Sequence, residues 1–158
     1  MGRMTWEPYP KLDNEQLHAL GHLTWEAIKL EGVIDRVCEL LVKGSTAKGH
    51  VSNHVERVTK SLANAEVTAG QTGALSWLQD ALGALLVRNA TLHSKTEIFH
   101  AEVNGLFVQL GPVQLVNENK TGTTRTDLTA LGLLAHANTL HRAYLGWRKV
   151  EDDLAIER

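Results

Sequence analysis

One cysteine, Cys38, stands among 158 residues, which excludes an intrachain disulfide and fits a reducing compartment. It falls on an apolar helical arc, so a buried, inert thiol is expected rather than a nucleophile. Charge of one sign is also lacking. The formal net charge is −2, so no global basic field draws in nucleic acid, and any polyanion site has to be local. No stretch approaches the roughly 18 to 20 continuous apolar residues of a membrane span. Met1–Trp6 has no apolar signal-peptide core, and Trp6 stands where a myristoylation motif needs Ser or Thr. Internal repeats and low-complexity segments are missing as well. These absences predict a soluble, cytoplasmic protein that does not engage a membrane.

What is there suits one domain: 43% of the residues are apolar, ordinary for a chain that buries a core. Residues 1–12, with Pro8 and Pro10 around Tyr9, read as an extended N-terminal arm, and 13–158 as a single helical domain. Asp13 and Gln16 have the spacing of a capping box, and Gly44 is the expected stop. The helix between them carries Leu17, Leu20, Leu23, Ala27, Ile28, Leu30, Ile34, Val37, Cys38 and Leu41 on one arc. Glu31 interrupts that arc. A carboxylate there must be paired, protonated or facing a polar cleft, unless a local kink lets it reach water.

Residues 44–53 read as a loop, after which Ser52 or Asn53 is expected to cap a helix running to about Ala69 with Val55, Val58 and Leu62 buried. Gly70 to Gly73 is the expected break. From Thr72 to Ser94 a third helix places Leu75, Leu78, Ala81, Leu82, Leu85, Leu86 and Leu92 on one arc and Ser76, Gly83, Ala84, Val87 and Thr91 opposite, small enough for a close helix neighbour. Asn104–Gly105, between Glu97–Val103 and Leu106–Leu110, is a strong hairpin signal, and Val113–Val116 continues extended, the alternative being that Ile98–Val103 extends the third helix. Asn117–Arg125 reads as a polar loop. Thr126 is the expected cap of a last helix, with Asp127 in its first turn. That helix has two apolar stripes, one with Leu128, Leu131, Leu134, Ala135 and Leu145, the other with Leu133, Leu140, Tyr144 and Trp147. The fold expected is mainly α: a four- to five-helix bundle with a small β-hairpin or meander after the third helix.

Polar side chains also interrupt the third helix. Asn89 and His93, four apart, lie inside its apolar arc and Arg88 at its edge, so they are either buried with partners or line a cleft. Arg88 and His93 are separated by about 7.5 Å of rise and about 140° of rotation, close enough to reach one ligand without touching. A guanidinium grips phosphate bidentately and an imidazole exchanges protons near neutral pH, with Asn89 placed to fix either. These parts suit metal-free phosphodiester cleavage by the ribose 2′-hydroxyl.

The string Arg88-Asn89-Ala90-Thr91-Leu92-His93-Ser94 resembles the signature of the HEPN superfamily, an Arg, a polar residue and then a His near the end of a helix. Glu31, in Trp25-Glu26-Ala27-Ile28-Lys29-Leu30-Glu31, resembles an acidic residue in the first long helix of many members. The resemblance implies an α-helical bundle over about 13–150 that dimerises so that two motifs face each other. It also implies a metal-independent endoribonuclease, acting as a toxin or in antiviral defence, or an inactive relative that binds a protein, nucleotide or RNA partner. In that frame His93 is the general base or acid, Arg88 the transition-state ligand and Asn89 the positioning residue. Glu31 is expected to pair with Arg88 or orient His93, and Ser94, Asn138 and Arg142 to line the same cleft.

No cofactor or metal is expected. His18 and His22, and likewise His50 and His54, are four apart but lack a third ligand, so all four read as solvated, the first pair sharing a polar face with Lys29 and Arg36. His100, His136 and His141 carry no clear assignment. Lys95, Lys120 and Arg125 are candidates for local positive charge toward RNA. An RNA substrate, a second copy of the chain and an antitoxin or other defence protein are the expected partners.

Overall fold

The computed structural model describes residues 12–157, the Asn119 side chain excepted. The arm expected at 1–12 therefore lies outside the described residues apart from Leu12, which packs against the core. The protein is mainly helical, with a small antiparallel strand set after the third helix.

α1 (Asn14–Leu41) begins with the expected capping box: Asp13 accepts from the Gln16 amide at 2.7 Å, and the Gln16 side chain accepts from the Asp13 amide at 2.9 Å. The helix stops at Leu41, before Gly44, which turns the chain at φ +85°. α1 is the axis of the bundle and touches every other helix, packing most extensively on α4 (Ala130–Leu145). Leu23, Leu30, Ile34, Val37 and Cys38 are completely buried along it. Full burial of one such aliphatic side chain contributes about 1.5–3 kcal/mol. Two members of the expected arc depart from it, since Leu17 and Ile28 are exposed beside Trp25.

α2 (Val51–Leu62) buries Val55 and Val58 as the pattern predicts, but His50, not Ser52 or Asn53, precedes it, and it ends well before Ala69. α3 (Ala69–His93) contains Gly70 and Gly73 instead of breaking at them. Thr68 starts it with another capping box, its hydroxyl accepting from the Gln71 amide at 3.1 Å and its own amide donating to the Gln71 side chain at 2.9 Å. Two paired orphan amides outweigh the intrinsic cost of glycine in the first turns. Ala74, Leu78, Ala81 and Leu85 face the core, whereas Leu86 and Leu92 are exposed.

After α3, β1 (Lys95–Glu97) and β2 (His100–Val103) run out, and β3 (Leu106–Gln109) and β4 (Gln114–Asn119) run back. β2 pairs with β3, and β1 with β4, so the four strands are one long hairpin interrupted in the middle. Its tip is Asn104–Gly105 with φ of +52° and +74°, the two-residue turn read from the sequence. The expected polar loop at 117–125 is instead a second hairpin: β5 (Gly122–Asp127) pairs with β4 from Asn119↔Gly122 to Gln114↔Asp127. Its threonines favour extended backbone, and β4 supplies the edge. Thr126 and Asp127 therefore lie in a strand, and Thr129 caps α4, accepting from the Gly132 amide at 3.0 Å.

The expected last helix is two, divided at Gly146 into α4 and α5 (Trp147–Ile156). Leu133, Ala137 and Leu140 bury against α1, while Leu131 and Leu145 of the other stripe are exposed. Among the described residues no helix is long and apolar enough to cross a membrane.

Candidate functional site

The last two turns of α3 lie against the middle of α1, and the two helices with the start of α2 enclose a cleft of about 710 Å3. Glu31 and Asp35 from α1, His50 before α2, and Arg88, Asn89 and His93 from α3 line it. Arg88, Asn89 and His93 are thus brought together with Glu31. Arg88 Nη2 donates to Glu31 Oε1, the pairing expected, and Glu31 does not hold His93. The Arg88 side chain is only 16% exposed, and its buried Nε has no hydrogen-bond partner among the described residues. Asn89 is half-buried and His93 exposed in the final turn, so an imidazole reaches solvent and the cleft at once. Such a wall can hold an anion on the guanidinium and exchange a proton at the imidazole.

The other residues proposed for the cleft lie elsewhere. The Ser94 hydroxyl donates to the Ala90 carbonyl of its own helix, and Ser94 lines a depression on another side, with Thr91 and His136. Asn138 and Arg142 sit on exposed parts of α4 outside the cleft. Lys95 and Arg125 pair across the strands with Glu118 at 3.2 Å and Glu97 at 3.3 Å, which balances their charge locally.

Reading from sequence missed two buried polar groups. His54 is not solvated: it is completely buried, with Nδ1 2.7 Å from Asp35 Oδ1 and Nε2 3.0 Å from Ser45 Oγ. The signal was present, because His54 shares the buried side of α2 with Val55 and Val58. Lys29 is likewise not on a solvated face. It bridges to Glu26 at 2.8 Å and lies over the Tyr144 ring, 4.8 Å from its centre. Glu26 itself is 3% exposed and also meets His141 Nδ1 at 3.1 Å. Burial by itself pushes the Glu26 carboxyl up, but the hydrogen bonds and positive charge of Lys29 and His141 outweigh it and hold the group below the usual range. Cys38 is buried as expected, and burial together with the nearby Asp35 charge pushes its thiol up to about 12.

His18, His22 and His50 are exposed, as expected, His50 on the rim of the cleft. Among the described residues no three of His, Cys, Asp and Glu converge as a metal-ligand set. No family model, curated protein or solved structure matches the chain.

Proposed function

We propose that the protein is a metal-independent endoribonuclease of HEPN-like type, cleaving RNA by attack of the 2′-hydroxyl on the adjacent phosphorus. The observation that carries this reading is the convergence of Arg88, Asn89 and His93 on one cleft wall, with Arg88 gripped by Glu31 from the facing helix. In the reaction His93 takes the 2′-hydroxyl proton, Arg88 neutralises charge on the pentacoordinate phosphorus, Asn89 holds a phosphate oxygen, and the bond from phosphorus to the 5′-oxygen breaks as that oxygen takes a proton from solvent and leaves as the alcohol. Glu31 keeps the guanidinium extended toward the cleft, so its orientation is set before substrate arrives.

A homodimer with a composite site belongs to the same reading. Exposed Leu17, Trp25 and Ile28 share one face of α1 with Glu31, Gly32 and Asp35, and exposed Leu86 stands on the cleft wall of α3. A Cβ at Gly21, Gly32 or Gly83 would meet nothing within 4 Å, which leaves room for a second chain to approach closely. RNA is the substrate, and an antitoxin or defence protein is a natural regulator of such an activity.

Incubation of the purified protein with RNA in EDTA tests the proposal. Cleavage leaving 2′,3′-cyclic phosphate ends, lost in both Arg88→Ala and His93→Ala, is the expected result. Cleavage that survives both substitutions sinks the site. One observation favours a second reading, a non-catalytic binding module: Glu31 already satisfies part of Arg88. An inert wild-type dimer that still retains RNA or a protein partner through Arg88 selects that reading.

A further inference from the structure

The outer part of the long hairpin, β2 with β3, carries one face that has no polar side chain. Ala101 stands opposite Val108 and Val103 opposite Leu106, and the Leu110 amide donates to the Phe99 carbonyl at 2.7 Å, which sets Phe99 opposite Leu110. Side chains alternate along a strand, so these six share one face, while His100, Glu102, Phe107 and Gln109 take the other. Phe99, Val103, Leu106, Val108 and Leu110 are all exposed, Leu106 by 62%. A two-stranded ribbon is only marginally stable in water by itself, and an uncharged apolar face on it marks a contact surface.

The dimensions of the face decide what fits it. From Phe99 to Val103 and across two strands it measures roughly 13 by 10 Å, far less than the about 800 Å2 per partner of a stable subunit contact. A short extended segment matches it better than a whole second copy.

The chain brings such a segment to the inner end of the ribbon. Leu12 packs against the core, and the Gln16 side chain donates to the Leu128 carbonyl at 2.7 Å. The Leu128 amide in turn donates to the Val113 carbonyl at 2.7 Å, and only Gly111 and Pro112 separate Val113 from Leu110. Residues 1–11, which lie outside the described residues, thus join the core beside that end. Eleven extended residues reach about 36 Å, more than the length of the face. Their sequence also alternates, with Met4, Trp6, Pro8 and Pro10 on one side and Thr5, Glu7, Tyr9 and Lys11 on the other. Pro8 and Pro10 have no amide proton to give to a strand edge, so side chains, and not a ladder, make the contact.

We propose that the apolar face of β2 and β3 is the docking surface for residues 4–10 of the same chain. Pro10 and Pro8 lie toward Phe99 and Leu110, and Trp6 and Met4 toward Val103 and Leu106. The segment shields a bare apolar ribbon that would otherwise join the ribbons of other molecules. The ribonuclease reading is not needed for it.

The test places p-benzoylphenylalanine at position 6 of the full chain and, in a second protein, at position 7. Photo-adducts are mapped by tryptic digestion and mass spectrometry. Adducts from position 6 to residues 99–110 of the same chain are expected, at least about fivefold more abundant than those from position 7, whose side chain points away. Leu106→Ser combined with Val108→Ser, on an exposed ribbon, should remove most of the adduct while the far-ultraviolet circular dichroism stays unchanged. Adducts that join two chains overturn the proposal in favour of a second copy. Adducts confined to other parts of the chain, equal yields from the two positions, or a yield unaffected by the two serines also overturn it.

Discussion

The Arg88 guanidinium on α3 and the Glu31 carboxylate on α1, 57 residues apart in sequence, form an ion pair at the wall of the cleft. Glu31 is 37% exposed, so solvent screens the pair and its share of the folding free energy is below about 1 kcal/mol. Its consequence is orientation, because Arg88 has no other hydrogen-bond partner among the described side chains. Glu31→Gln keeps an oxygen acceptor and removes the charge. The variant should melt within about 3 °C of wild type while RNA cleavage falls about tenfold. Cleavage at the wild-type rate would remove Glu31 from the site.

Residue 146, between α4 and α5, is restricted to glycine for a steric reason and not a conformational one, since its φ of −66° suits any residue. Trp77 Nε1 donates to the Ala143 carbonyl at 3.0 Å, and a Cβ on Gly146 would stand 2.9 Å from that nitrogen. Gly146→Ala must therefore displace the indole and break its hydrogen bond, a loss of about 1–3 kcal/mol. Gly73→Ala is the matched control: a Cβ there meets nothing within 4 Å, and the helix interior gains about 0.5–1 kcal/mol. Urea denaturation of the two variants checks the opposite signs, and equal midpoints would refute the steric argument.

The parts of the fold that were legible in the sequence are those where one short stretch explains itself. The Asp13–Gln16 box and the Asn104–Gly105 turn are local chemistry and stand where their residues place them. Thr68 and Gln71 form the same kind of box, but glycines at 70 and 73 masked it, because propensity alone does not reveal two satisfied amides. β4 and β5 carry little alternation, since β5 is exposed on both faces and its pairing, not its burial, makes it a strand. An apolar arc also does not say how much of itself is covered: Leu86 and Leu131 fit their arcs and face outward. At the site, Glu31 was visible as a misplaced charge, whereas His54 depends on an acid 19 residues away that no local pattern announces.

Glu26 offers the clearest dependence of stability on pH. It is 3% exposed, and Lys29 at 2.8 Å and His141 at 3.1 Å lower its carboxyl in spite of the burial that opposes them. An acid lowered in the folded state releases its proton more readily there than in the unfolded chain. Its stabilising contribution is therefore present above the ordinary carboxylate value of about 4.3 and is lost as the pH falls through the lowered folded value. Glu26→Gln keeps the shape but cannot ionise, and it leaves the Lys29 ammonium without its counter-charge. At pH 7 it should cost about 2 kcal/mol. The difference from wild type should shrink as the pH falls below about 4.3 and through the lowered folded value, where the wild-type carboxylate protonates. Denaturation midpoints of both proteins across that range decide it, because a gap that stays constant with pH would mean that Glu26 acts by shape and not by charge.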